Sequence, residues 1–106
     1  MAEVKRTYYD SGELEYEWFE VNGIKEGEYK IYYKNGQLNI ICNYVNGKME
    51  GEAKAYWFKE ELNYLINGQL YWICNYVNDK KEGEFKLYHP NGKLMEISNY
   101  VNGHIV

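Results

Sequence analysis

Several kinds of residue are scarce in this sequence. Its 106 residues include one proline, two cysteines and two histidines, and the only serines are Ser11 and Ser98. Apolar runs are short, such as Tyr71-Trp72-Ile73-Cys74, so no segment can cross a bilayer as a helix. The start, Met1-Ala2-Glu3-Val4-Lys5-Arg6, has no apolar stretch, and no signal peptide is expected. Positive charge is in deficit: 12 Lys and Arg stand against 16 Asp and Glu, for a net charge of −4. That balance argues against a nucleic-acid surface. The basic residues are interleaved with glutamate, which leaves no polybasic patch for anionic lipid. A chain this short is one domain and cannot contain a protein kinase, a dinucleotide-binding enzyme or a barrel enzyme. Helical periodicity is missing as well, because the apolar positions alternate.

What is abundant is aromatic side chains and glycine. There are 13 Tyr, 3 Trp, 3 Phe and 10 Gly. With so many apolar residues and so small a net charge, the chain should fold. The glycines recur as Ser11-Gly12, Asn22-Gly23, Asn35-Gly36, Asn46-Gly47, Asn67-Gly68, Asn91-Gly92 and Asn102-Gly103. Asn-Gly between alternating apolar residues is a strong hairpin signal, since a type I′ turn needs positive φ at both central residues. Gly12, Gly23, Gly36, Gly47, Gly68, Gly92 and Gly103 are therefore the expected structural turn residues.

The hairpins repeat. Tyr8-Tyr9-Asp10-Ser11-Gly12-Glu13-Leu14 lies over Tyr32-Tyr33-Lys34-Asn35-Gly36-Gln37-Leu38 at an offset of 24. Ile41-Cys42-Asn43-Tyr44-Val45-Asn46 matches Ile73-Cys74-Asn75-Tyr76-Val77-Asn78 at an offset of 32. An eight-residue insertion near 59–66 accounts for the difference. The expected organisation is one domain over 1–106, with repeats at about 3–26, 27–50, 51–82 and 83–106. The expected fold is all-β, an elongated antiparallel meander of about four hairpin repeats in a single sheet.

Taken as a two-residue type I′ turn, Asn35-Gly36 puts Tyr33 opposite Leu38, Ile31 opposite Ile40 and Tyr29 opposite Cys42. Carried through the repeats, this register gives one apolar face and one mostly polar face. To the apolar side it assigns Tyr9, Leu14, Tyr16, Trp18, Tyr44, Trp57, Leu70, Trp72, Cys74, Tyr76, Phe85, Leu87, Leu94 and Tyr100. The polar side takes Glu28, Glu52 and Glu84, Lys30, Lys54 and Lys86, and Tyr8, Tyr32, Tyr56 and Tyr88, with Glu and Lys expected side by side across strands. About eight strands at ~4.8 Å spacing and ~20 Å length give an apolar face on the order of 800 Å². No helix is available to cover it. The face must curl on itself, meet a second copy of the chain or hold another protein. Its candidate binding residues are Tyr16, Trp18, Tyr29, Tyr33, Tyr44, Trp57, Trp72 and Tyr76, an aromatic set poor in charge, as interface cores are.

Residues suited to catalysis do not converge. Cys42 and Cys74 share one slot of the repeat with a strand between them, ~9–10 Å apart. That is beyond the ~7 Å limit for a disulfide and too far to share a zinc ion without two more ligands. Two free, buried thiols are expected, which suits a reducing, cytoplasmic setting. Ser98 falls opposite Phe85, away from His89, so a hydrolytic triad is not expected. Glu96 falls on the apolar side opposite Leu87, either exposed at an edge or desolvated. No glycine-rich loop opens a helix, so nucleotide binding has no support. The expectation is a non-enzyme with no metal and no cofactor.

The segment Tyr44-Val45-Asn46-Gly47-Lys48-Met49-Glu50-Gly51-Glu52-Ala53-Lys54-Ala55-Tyr56 resembles the MORN repeat, in the bacterial variant of YwqK-like toxin–antitoxin proteins. The resemblance extends over nearly the whole chain in about four copies. It departs at Glu20, which replaces a tyrosine, at Asp79, which replaces a turn glycine, and at the insertion. The family implies a protein-interaction module, an antitoxin whose exposed sheet binds and blocks a toxin. The alternative it implies is association with membrane phosphoinositides, as for repeats that accompany phosphatidylinositol phosphate kinases, without kinase activity.

Overall fold

A computed structural model describes residues 2–58 and 68–106. The described residues form one antiparallel sheet and no helix. Its long strands are β1 (Ala2–Tyr8), β2 (Leu14–Val21), β3 (Ile24–Tyr32), β4 (Leu38–Val45), β6 (Gly51–Tyr56), β7 (Leu70–Val77), β9 (Gly83–Tyr88) and β10 (Leu94–Val101). Three two-residue strands, β5 (Lys48–Met49), β8 (Lys80–Lys81) and β11 (His104–Ile105), pair with the ends of β4, β7 and β10. Strand order follows chain order, as a meander of hairpins requires. The insertion near 59–66 and Asn67 lie outside the described residues.

Two kinds of turn alternate, not one. At Asn22-Gly23, Asn46-Gly47, Asn78-Asp79 and Asn102-Gly103 both residues have positive φ, from 51° to 85°. The flanking residues pair directly, as Val21 with Ile24 and Val45 with Lys48. These are the expected two-residue hairpins. At Ser11-Gly12, Asn35-Gly36 and Asn91-Gly92 only the glycine has positive φ. There the Gly36 N–H donates to the Tyr33 carbonyl at 3.0 Å and the Tyr33 N–H to the Gln37 carbonyl at 2.9 Å. This is a three-residue loop, a type I turn followed by a left-handed glycine.

The second turn corrects the expected register. Tyr33 faces Gln37, and Tyr32, not Tyr33, pairs with Leu38. An extra residue, Asn39, then restores the pairing of Ile31 with Ile40 and of Tyr29 with Cys42. The same bulge recurs wherever this turn class does. Leu14 and Leu94 consequently pair with Tyr8 and Tyr88, Leu70 pairs with Tyr56, and their expected place on the apolar side is not met. Leu38 shows where such a leucine goes: it lines a shallow groove with Tyr56, Ile41 and Lys54 on the polar side.

The polar side meets expectation in part: Glu17 stands opposite Lys30 and pairs across strands with Arg6 at 2.9 Å, but the other ion pairs differ. Lys30 pairs with Glu28, Lys54 with Glu52 and Lys86 with Glu84 at 3.2–3.6 Å, along a strand and not across it. Across strands the lysines alternate with isoleucines: Lys30 faces Ile41, Lys54 faces Ile73 and Lys86 faces Ile97. The lysine stems lie over apolar neighbours while the charged heads reach solvent.

A sheet one layer thick has little interior. The buried apolar residues are Cys42, Ala53, Ala55 and Cys74, and no large side chain among the described residues is fully buried. The accessible surface is 6852 Å², against ~6,200 Å² for a compact protein of this mass. The radius of gyration is 15.1 Å, against ~13 Å for a compact chain of this length.

Candidate interaction face

The repeat sets residues of one slot side by side across the sheet. One row runs Lys5, Trp18, Tyr29 and Cys42, each paired with the next. It continues on the far half as Ala53 paired with Cys74 and Phe85 paired with Ser98. The small members, Cys42, Ala53 and Cys74, are packed under Tyr29, Tyr44, Met49, Trp72, Tyr76 and Phe85. Small beside large lets the rings lie down over the middle of the sheet while keeping one side open.

Two ring clusters flank that middle. In the first, Tyr29 meets Tyr16 at 6.0 Å, Trp18 at 5.7 Å and Tyr44 at 5.4 Å between centroids. The Lys25 ammonium stands 5.1 Å from the Tyr29 ring and 5.3 Å from Tyr44. In the second, Phe85 meets Trp72 at 5.7 Å and Tyr100 at 6.1 Å. Lys81 stands 4.6 Å from Phe85 and 5.0 Å from Tyr100. Edge and tilted ring contacts, with a cation over each cluster, add specific attraction to the burial of area. Between the clusters, Met49 takes the slot of the two lysines and packs on the Cys42–Ala53–Cys74 patch.

Tyr33 and Trp57 stand apart from these clusters: Tyr33 flanks a three-residue turn, and the Trp57 N–H donates to the Gln69 carbonyl at 2.8 Å. Tyr33 meets Phe58 at 5.2 Å and Trp57 meets Tyr71 at 4.0 Å. Tyr71 is the extra residue of its bulge, which delivers it to that ring. Each also ties one repeat to the next. The Tyr9 hydroxyl donates to the Tyr32 carbonyl at 2.5 Å, the Tyr33 hydroxyl to the Tyr56 carbonyl at 2.7 Å, and the Trp57 indole N–H to the Tyr88 carbonyl at 3.0 Å. Of the eight candidate binding residues, Tyr16, Trp18, Tyr29, Tyr44, Trp72 and Tyr76 pack in the two clusters or over the small residues. Tyr33 and Trp57 do not join them.

A second ladder was not anticipated from the sequence. Glu26, Glu50 and Glu82 each accept the backbone N–H of the next turn asparagine, from Asn46, Asn78 and Asn102, at 2.6–2.9 Å. The recurring Glu-Gly pair before each strand was the available signal. Where Asp79 replaces the turn glycine, its carboxylate accepts the Met49 N–H at 2.8 Å. Where Glu20 replaces a tyrosine, it accepts the Trp18 indole N–H at 2.8 Å.

Burial pushes up the pKa of Tyr29, Tyr33, Tyr44 and Tyr76 and of the Cys42 thiol. It raises the Cys74 thiol to about 11. Both thiols are free and protonated at neutral pH, which suits packing and not nucleophilic chemistry. Ser98 faces Phe85 and Glu96 faces Leu87, as expected; Glu96 is exposed at the edge. Among the described residues no group of three His, Cys, Asp or Glu side chains could hold a metal, and no helix is long and apolar enough to cross a membrane.

Comparison with known families matches a MORN repeat variant to residues 25–46 and 81–102. The matched stretches, two repeats apart, carry the Lys25 and the Lys81 ring clusters. The interval between them holds Met49 and Ala53 along with two of the departures, Asp79 and the insertion. No curated protein and no solved structure matches the chain. A MORN repeat suggests a module that interacts with a protein or a membrane.

Proposed function

We propose that this chain is a non-enzymatic module that holds a protein on its aromatic face, and that the protein is a toxin it neutralises. The observation that carries the reading is the half-buried state of Tyr16, Trp18, Tyr29, Tyr44, Trp72 and Tyr76, none of which the sheet covers. Half-buried rings already fixed by contacts with one another lose little conformational freedom on binding, which makes them good anchors. The toxin as partner comes from the likeness to YwqK-like antitoxins. Phosphoinositide binding has less support: the net charge is −4, and Lys25 and Lys81 are engaged by rings.

The test is co-expression with the product of the neighbouring reading frame. The expected result is a co-purifying complex that relieves growth arrest and is lost in Trp18→Ala. Pelleting of the chain with phosphatidylinositol-phosphate vesicles, together with no protection from the neighbour, would overturn the reading in favour of lipid.

A further inference from the structure

Both outer edges of the sheet carry strands that the repeat equips for a neighbour. β10 is the fourth copy of the strand that appears as β2, β4 and β7. Each of those three pairs on its far side with a strand of one type, β3, β6 or β9. The pairs are Tyr16 with Ile31 and Glu17 with Lys30, then Ile40 with Ala55 and Ile41 with Lys54, then Trp72 with Leu87 and Ile73 with Lys86. β1 is a further strand of that second type: Arg6-Thr7-Tyr8-Tyr9 falls on Lys30-Ile31-Tyr32-Tyr33. Among the described residues β1 pairs with β2 alone, and β10 beyond β9 pairs only at Tyr100 and Val101, with β11.

We propose that β10 of one chain receives β1 of a second copy, continuing the sheet head to tail, with Glu96 opposite Thr7 and Ile97 opposite Arg6. Strand addition at a sheet edge is an established recognition mode. Here the two edges of one molecule complement each other in three respects.

The first is apolar cover. Ile41 and Ile73 are half-buried beside Lys54 and Lys86, whereas Ile97 is 46 % exposed. Arg6 of the second copy takes the place that Lys54 and Lys86 hold beside Ile41 and Ile73, and its stem covers Ile97.

The second is charge. Two slots on the aromatic side carry no charge except at the sheet's edges. At one edge Lys5 occupies the slot of Tyr29 and Phe85; at the other Glu96 occupies the slot of Tyr16 and Trp72. In the junction Lys5 lies opposite Ser98 and diagonal to Glu96, within reach of a cross-strand pair. Charges on exposed edge strands normally deter pairing. Here Lys5 and Glu96 carry opposite signs, so each edge admits the other.

The third is the ladder of ring donors. Tyr9, Tyr33 and Trp57 each donate to a backbone carbonyl of the next repeat. His89 holds the same position in the repeat of β9 and β10, and its acceptor in the junction is the Tyr8 carbonyl of the second copy. A contact between two different edges leaves a further edge free at each end, so assembly continues into ladders, or rings where the rotation closes.

Sedimentation velocity across a concentration series tests this with wild type, Glu96→Lys and Lys5→Glu. Both sites lie at the sheet's edges, and circular dichroism checks that each variant stays folded. Wild type is expected to grow in size with concentration, and each variant to weaken assembly by tenfold or more. Mixing the two variants should restore it, because each lysine again meets a glutamate. A wild type that stays monomeric to millimolar concentration would overturn the proposal. So would assembly that neither substitution weakens, which would place the contact elsewhere than at these edges.

Discussion

Ala53 is the tightest point of the molecule, at 1 % exposure between Cys42 and Cys74. The rings above it leave no room for a larger side chain. Ala53→Leu is expected to cost ~1–3 kcal/mol by overpacking, read as a fall in the urea midpoint. The thiols give a second expectation, in pH. Their folded pKa values lie above the ordinary thiol value, so the native state holds protons that the unfolded chain releases. The stabilisation is complete below the unfolded thiol pKa and is lost as pH rises toward the folded one. Stability should therefore fall between roughly pH 8.5 and the Cys74 value of about 11. A Cys42→Ala, Cys74→Ala chain should show a shallower fall over that window in urea titrations at stepped pH. An equally steep fall would assign the loss to the half-buried tyrosines.

At the scale of elements, the hairpins and their order were readable because Asn-Gly, strict alternation and a period of 24 agree with one another. The turn class was not, because Asn-Gly serves both kinds. What separates them stands just before the asparagine. Val21, Val45, Val77 and Val101 end a strand and lead into the tight turns, whereas Lys34 and Pro90 occupy the first corner of a type I turn. Pro90 is informative, since proline favours that corner. Reading every Asn-Gly as a two-residue turn puts Leu14, Leu70 and Leu94 on the side opposite to the one their pairing gives. The glutamate ladder was hidden for another reason: its partners are backbone N–H groups, which leave no trace in composition. Its removal has a local signature. Glu82→Ala should strip the Asn102 N–H of its acceptor and cost ~0.5–1.5 kcal/mol. Amide exchange should quicken at Asn102 while Asn46 and Asn78 keep their protection.

For the molecule as a whole, one layer of sheet explains both its economy and its exposure. Extents of 40 × 38 × 20 Å leave room for small residues inside and rings above them, but no second layer. The sequence implies such a face, and six of the eight rings it singles out pack in groups on the sheet. It could not separate Tyr33 and Trp57, whose roles depend on carbonyls 23 and 31 residues away. The central claim is that the aromatic side, and not the lysine–glutamate side, meets the protein partner. Hydroxyl-radical footprinting read by mass spectrometry, with and without the neighbouring gene product, tests it most directly. The account predicts protection of Tyr16, Trp18, Tyr29, Tyr44, Trp72 and Tyr76 in the complex, with Tyr8, Tyr32, Tyr56 and Tyr88 unchanged. Protection of those four tyrosines with the tryptophans left reactive would contradict it.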